Sequence, residues 1–386
     1  MAGPRVLVAG AGAFGGWTAL WLLRRGARVT LVDPWGPGHS RASSGGETRI
    51  IRAVYGADRI YVEMAARALE LWRAHEAACG VPLLRRTGVM WIVTGDDAFE
   101  RAAMPLLAEA GLPCEALDPA EAARRWPQVR FDDVRWVLFE REAGYLAARR
   151  ACATVVETFV REGGEYRRAA ARGGRLDGPV EAIALTDGSR VAVDHVVLAC
   201  GPWLGPMVPD VPGAQLRVTR QDVFFFGAPP GDARFTDEAL PVWIERDPRM
   251  FYGIPCAEGR GVKVADDTRG PEIDPTRLER LVAEDRLREA RAYLAWRFPA
   301  LAGAPLVESR VCQYENSRDG HFLLDRHPRA ANVWIAGGGS GHGFKFGPVI
   351  GERMAALVLG ERPVDPFFAL DRPGAEPPVP EPSSAA

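Results

Sequence analysis

Val6-Leu7-Val8-Ala9-Gly10-Ala11-Gly12-Ala13-Phe14-Gly15 opens a unit that runs to Asp33. Val6 to Ala9 reads as a buried parallel strand, residues 14 to 25 as a helix, and residues 28 to 32 as a second strand ending at Asp33. Gly10 permits a tight turn, Gly12 lets backbone approach a pyrophosphate, and Gly15 lets helix and strand pack closely. The helix N-terminus offers unpaired N–H groups and partial positive charge to phosphates. Asp33 is placed to accept hydrogen bonds from a ribose. A glycine turn alone is a weak sign; strand, turn, helix, strand and terminal acid together specify a dinucleotide site. Whether that dinucleotide is nicotinamide or flavin stays open here.

Composition bounds the rest. At 386 residues the chain has room for one large or two modest cores. With 47% hydrophobic residues and a net charge of −2 it reads as an ordinary soluble globular protein. It lacks the basic excess that nucleic acid demands. The N-terminus enters a strand within a few residues, which leaves no space for a signal peptide. No apolar run reaches the length of a membrane span, and the cytoplasm is the expected setting. The six cysteines (Cys79, Cys114, Cys152, Cys200, Cys256 and Cys312) are scattered singly, with no C-x-x-C pair. That argues against a disulfide framework and a zinc site, and no metal is expected.

Lysine is the outlier. Of the 48 lysines and arginines only Lys263 and Lys345 are lysines. An excess of Ala, Gly, Pro and Arg is what a GC-rich coding bias produces, with Lys converted to Arg wherever the swap is harmless. The two that remain mark positions where a guanidinium's bulk, planarity or fixed charge would fail.

Beyond Asp33 the pattern leaves a nicotinamide-binding unit, in which another helix and parallel strand would soon follow. A Gly/Ser-rich stretch, residues 36 to 47, leads instead to Thr48-Arg49-Ile50-Ile51-Arg52. An extended cofactor running from the glycine turn to this segment favours flavin. Residues 61 to 79 show helical spacing at Met64, Ala65, Leu69 and Trp72. Residues 87 to 94 read as a strand entering a second domain. Asp118-Pro119-Ala120-Glu121 carries an N-cap acid, Pro at the first helical position and Glu at the third. A helix is expected over residues 147 to 161 and a hairpin over 180 to 193, around Asp187-Gly188. A buried strand then ends on Gly201, beside the cofactor layer. Residues 216 to 265 are β-rich, and a helix over 276 to 298 is expected to cover that sheet. Strands over 308 to 314 and 333 to 336 lead into a glycine loop and a closing helix, 348 to 359. The Pro-rich polar tail reads as disordered.

Five stretches then carry a specific resemblance. They are the N-terminal fingerprint, Gly46-Glu47-Thr48-Arg49-Ile50-Ile51-Arg52, the Tyr252-Gly253 to Lys263 spacing, Val311-Cys312-Gln313-Tyr314, and Ser340-Gly341-His342-Gly343-Phe344-Lys345-Phe346. In this order, over nearly the whole chain, they resemble the monomeric sarcosine oxidases. These belong to the D-amino-acid-oxidase-like flavoproteins, whose relatives include N-methyltryptophan, pipecolate and fructosyl-amino-acid oxidases.

The resemblance implies FAD, attached through its 8α-methyl group to a cysteine whose position Cys312 occupies. Arg49, near the ring, would supply the positive field that a thiolate needs. The implied cofactor-binding set is Gly10, Gly12, Gly15, Asp33, Ser44, Thr48, Arg49, Gly201, Cys312, Gly341, Gly343 and Lys345. Lys263 matches the family lysine that meets flavin N5 through water and promotes the reaction of reduced flavin with oxygen. A compact ammonium suits that task better than a guanidinium fork. Arg52 and Lys345 match the pair that grips the substrate carboxylate and holds the Cα–H over the flavin. Tyr252 and Tyr314 match aromatic residues of the substrate pocket. The positive end of the closing helix would face the charge that reduced flavin carries at N1 and O2. No general base is required: hydride transfer from Cα to N5 suffices if the amine binds uncharged, and a cationic pocket disfavours the ammonium form.

Departures from that pattern bear on the substrate. Asp267 stands where sarcosine oxidase has a histidine, four residues after Lys263 and on the same face if the strand continues. There it would pair with a substrate amine or cationic side chain. Trp243 replaces a smaller methionine, and Ser44-Gly45 replaces two histidines near the flavin. These point away from sarcosine itself and leave the flavin chemistry intact.

The expectation is therefore an α/β protein of mixed α+β character with two discontinuous domains. Residues 1–88, 145–215 and 325–371 form a Rossmann-like FAD-binding domain, 89–144 and 216–324 a β-rich substrate domain, and 372–386 a disordered tail. The expected activity is oxidation of a secondary (N-methyl, cyclic or N-substituted) amino acid, with imine hydrolysis and reduction of oxygen to hydrogen peroxide. The alternative is a dehydrogenase of the same fold using another acceptor, or an oxidase of the fructosyl-amino-acid, pipecolate or N-methyltryptophan type. A monomer is expected, with a small amino acid and oxygen as partners and neither nucleic acid nor membrane.

Overall fold

The strands Arg5–Ala9, Arg28–Val32 and His195–Leu198 run parallel at the centre of a six-stranded sheet. The computed structural model describes residues 3–211 and 214–372. Val333–Gly337 and Glu165–Arg167 extend the sheet in parallel on either side, and Leu323–Arg326 closes one edge antiparallel. Side-chain alternation fills both faces. Val6 and Val8 enter one core with Val29 and Leu31, while Leu7 and Ala9 enter another with Val196 and Leu198. The helices Ala13–Arg24, Ala148–Arg161 and Gly347–Val358 pack on the first face. The second is covered by the hairpin Ala182–Ala184 with Arg190–Ala192 and the short helix Leu204–Met207.

A second sheet has eight strands, in the order Leu306–Asn316, Arg217–Phe226, Val262–Asp266, Phe251–Ile254, Val242–Glu245, Val89–Val93, Trp136–Glu140 and Cys114–Leu117. All neighbours are antiparallel except Val242–Glu245 beside Val89–Val93. Here the period of two separates core from site. Trp243, Phe251, Val262 and Val264 point into a core closed by the helix Glu284–Arg297. Ile244, Tyr252 and Lys263, the intervening residues, point to the opposite face. Phe251 stacks on Tyr293 of that helix with ring centroids 4.2 Å apart, an arrangement that adds ~0.5–1.5 kcal/mol beyond burial. Fully buried Arg297 fixes the end of the helix by bonding both Glu245, on the sheet, and Asp133.

Most expected elements occur within a few residues of their predicted bounds. The capped helix Pro119–Arg125 is one: Asp118 accepts from the Glu121 N–H at 2.7 Å. The helix expected over 276 to 298 starts only at Glu284. The cause is tertiary. Asp222, on a distant strand, accepts from Ala283 N–H at 2.8 Å and so caps the helix there. The preceding residues lie along the sheet, with Arg280 donating to the Val311 carbonyl. A small sheet that joins Thr48–Ile51, Gly144–Ala147 and Leu84–Arg85 links the two large ones in sequence. Arg372, assigned to the disordered tail, is in fact packed, with a two-pronged ion pair to Asp319. The remainder of that tail, 373–386, lies outside the described residues.

Candidate active site

The glycine turn forms one end of a cavity of about 260 Å³. Gly10 adopts φ +107°, a conformation that L side chains avoid, and a Cβ there would stand 2.2 Å from the Ala199 carbonyl oxygen. Gly12 and Ser44 line the same end, and Ser44 Oγ accepts from the Ala13 N–H at 3.1 Å. Gly15 is not on the wall. It is the contact point of helix and strand, where a Cβ would lie 1.9 Å from the Gly10 oxygen. Asp33 lines the cavity, but its carboxylate also closes the turn, accepting from the N–H groups of Ala11 (2.9 Å), Trp35 (2.9 Å) and Gly36 (2.8 Å). Gly201, Gly341 and Gly343 complete the expected glycines of the wall.

Two buried polar atoms on this wall, Ser43 Oγ and Glu315 Oε2, have no partner among the described residues. Buried polar groups are satisfied in native proteins, so such atoms mark where a polar ligand is held. Together with the side-chain-free turn, they fit a cofactor with hydroxyls and phosphates.

A second cavity, of about 70 Å³, shares Arg49, Tyr314, Gly341 and Phe344 with the first. The expected substrate residues Arg52, Tyr252, Lys263, Asp267, Tyr314 and Lys345 all line it. Arg52 lies over the rings of Tyr55 (4.3 Å) and Trp91 (5.0 Å), so its guanidinium plane is held between aromatic faces. Lys345 Nζ donates to the Tyr55 hydroxyl at 2.9 Å and to the His342 carbonyl at 2.7 Å. Burial, with Arg52 next to it, holds its pKa well below the usual lysine range. Lys263 Nζ donates to the Thr48 carbonyl at 3.1 Å; burial, then the nearby Arg49, lowers its pKa to about 7. Both surviving lysines are thus buried, each 3% exposed. Asp267 lies one residue past its strand and accepts from the Tyr314 hydroxyl at 2.7 Å. Burial raises its pKa, and that hydrogen bond opposes the rise.

Cys312 is separated from the glycine turn and faces a third cavity, of about 370 Å³, which Arg49 and Lys263 also line. Arg49 therefore borders all three spaces. Thr48 contributes through its carbonyl, which accepts from both Arg49 and Lys263; its hydroxyl is buried and unpartnered. Trp243 does not reach the second cavity. It lies in the opposite core, 4.5 Å from Phe298 and bonded to the Tyr293 hydroxyl, because its strand neighbour Ile244 takes the pocket-facing position.

Three site residues carried no role in the sequence. Tyr55 and His342 extend the contact of Lys345: His342 Nε2 faces the Gly320 carbonyl at 3.0 Å and must donate, leaving Nδ1 to accept from Tyr55 at 3.2 Å. His342 stands inside the quoted glycine loop, which was the available signal. Glu315, the next residue after Tyr314, gave none.

Comparison with known proteins agrees with this geometry. Residues 5–357 match the family model "FAD dependent oxidoreductase". The monomeric sarcosine oxidase of Bacillus sp. (strain B-0618) is 31% identical, over 95% of this chain and 96% of that protein. The N-methyl-L-tryptophan oxidase of Salmonella heidelberg (strain SL476) is 30% identical, over 93% and 95%. Among solved structures, L-proline dehydrogenase from P. horikoshii superposes with a TM-score of 0.82 at 20% identity, covering 96% of this chain and 97% of that one. Fructosamine oxidase from Aspergillus fumigatus (Amadoriase II) gives 0.80 at 22%, covering 96% and 90%. A cavity walled by the glycine turn, and a family match over most of the length, lead to one conclusion: this chain belongs to the FAD-dependent oxidoreductases.

Proposed function

We propose that the chain is an oxidase of a secondary amino acid, acting on the carbon–nitrogen bond and using oxygen as acceptor. The observation that carries this reading is the small cavity lined by Arg52, Lys263, Lys345 and Asp267, which shares its wall with the glycine-lined one. FAD, when bound, would supply the two-electron chemistry, as acceptor of a hydride from the carbon that bears the amine and donor of both electrons to oxygen. The chain's residues do the rest. Arg52 and Lys345 clamp the substrate carboxylate, and the arriving anion restores to Lys345 the charge that burial and Arg52 suppress. Asp267, held by Tyr314, meets the amine or a cationic substituent. Lys263 places a small positive group where oxygen is reduced. The cationic lining favours entry of the amine without its proton, so no side chain is needed as a base. The imine product then reacts with water.

The same reading includes attachment of FAD to Cys312, supported by the contact between its sulfur and Arg49. It includes the expected division into a cofactor domain and a substrate domain, supported by the two large sheets. Composition and six free cysteines suit a monomer in a reducing cytoplasm. No helix among the described residues is long and apolar enough to cross a membrane.

The test is anaerobic bleaching of the flavin by a panel of N-methyl, cyclic and glycated amino acids, followed by a peroxide assay in air. Bleaching by none of them, or bleaching without peroxide on reoxidation, would sink the proposal.

A further inference from the structure

We propose that Glu315 is a cofactor-positioning residue, whose protonated carboxyl donates a hydrogen bond from Oε2 to an oxygen of bound FAD. The acceptor is a hydroxyl or phosphate of the chain that joins the two ring systems. Glu315 is only 8% exposed and lies on the wall of the glycine-lined cavity. Oε1 accepts from the Gly339 N–H at 3.3 Å, and Oε2 is buried with no partner among the described residues. Glycines leave room for the carboxyl on both sides: a Cβ on Gly201 would stand 2.9 Å from Oε2, and one on Gly339 would stand 3.0 Å from Oε1. The Gly339 N–H therefore fixes one oxygen and leaves the other for the ligand.

Its electrical surroundings favour the acid form. The strand Arg217–Phe226 places apolar Val218 opposite it. The turn at Gly201 presents the Cys200 thiol, itself pushed up to about 12 by burial and by Asp33 and Glu315. The glycine loop presents the backbone N–H of Gly339. Among the described residues, no arginine, lysine or histidine forms an ion pair with it. Burial without a cation raises the carboxyl to about 7. A diphosphate nearby would repel a carboxylate, whereas the acid adds a donor.

The test uses the full chain with Cys312→Ala, so that FAD binds reversibly, and follows quenching of flavin fluorescence between about pH 6 and 9. In that parent, Kd is expected to rise by up to about tenfold per pH unit once Glu315 loses its proton. Glu315→Gln keeps a donor that does not titrate and should flatten the profile. Lys263 is present in both proteins, so the difference belongs to position 315. Glu315→Ala should weaken binding about five- to tenfold at the acid end, as expected for one lost hydrogen bond. Riboflavin in place of FAD identifies the acceptor: persistence of the slope selects a ribityl hydroxyl, and its loss a phosphate. The proposal fails if Glu315→Gln retains the parent's slope, or if the parent binds FAD more tightly as pH rises, which is the behaviour of an accepting carboxylate. Thermal melts of both variants separate loss of contact from loss of fold.

Discussion

Arg49 donates from Nη2 to Cys312 Sγ at 3.3 Å, with Nη1 anchored on the Thr48 carbonyl at 2.9 Å and Nη2 also on the Ser43 carbonyl at 2.6 Å. A guanidinium fixed by two carbonyls presents positive charge and an N–H donor to the sulfur that would join the flavin. The yellow colour should therefore survive acid precipitation of the native protein. Cys312→Ser should leave a colourless pellet and free FAD in the supernatant. Arg49→Met should slow attachment by at least about tenfold, in line with loss of a charge-assisted hydrogen bond worth ~1.5–3 kcal/mol. Free flavin from the unmodified protein would remove the linkage.

Burial and the nearby Arg49 bring the Lys263 ammonium down toward neutrality, and the sign of its effect follows. Its pKa is lowered to about 7, so the ammonium is present below that value and lost as pH rises through it. The negative charge of a reduced flavin beside it would move the midpoint upward. The second-order rate of flavin reoxidation by oxygen should fall across this window. Lys263→Met should flatten the dependence and slow reoxidation far more than flavin reduction by substrate. Stopped-flow measurement of the two half-reactions decides; equal losses in both would remove the assigned role.

Asp267→Asn keeps an acceptor for the Tyr314 hydroxyl, bonded now at 2.7 Å, and removes only the negative charge. Discrimination between substrates with cationic and neutral substituents should shift by about tenfold or more in kcat/KM, the scale of one charge contact in a closed site. An unchanged substrate profile would place Asp267 outside recognition.

Arg297 tests the fold rather than the site. It is completely buried and pairs with Glu245 and Asp133. Arg297→Met strands Glu245 in the core and should cost ~3–5 kcal/mol in denaturant unfolding. The double change Arg297→Met with Glu245→Gln should recover part of that loss. Equal destabilisation in the single and double variants would show that packing, not charge, dominates.

Much of this site was legible in the chain because its signals are local. The turn at Gly10, the second strand and Asp33 depend on neighbours within a few residues, and only glycine tolerates φ +107° under a carbonyl. The retention of Lys263 and Lys345 amid arginines was equally legible, and burial of both explains it: a lysine gives up its charge in a dry site far more readily than an arginine.

Other features depended on contacts between distant segments. The helix at Glu284 is capped by Asp222 from another strand, which no local propensity encodes. Trp243, read as a departure that bears on the substrate, lies in the opposite core, because strand register sends alternate residues to opposite faces. Glu315 was invisible for the same reason. A glutamate in a strand is ordinary until Gly201 and Gly339 close around it and leave one oxygen facing the cofactor space. The sequence by itself determined the dinucleotide turn, the chemical identity of the cationic residues and their order along the chain. Only the tertiary structure decided which of them share a wall, since desolvation and pairing are properties of the assembled site and of no segment alone.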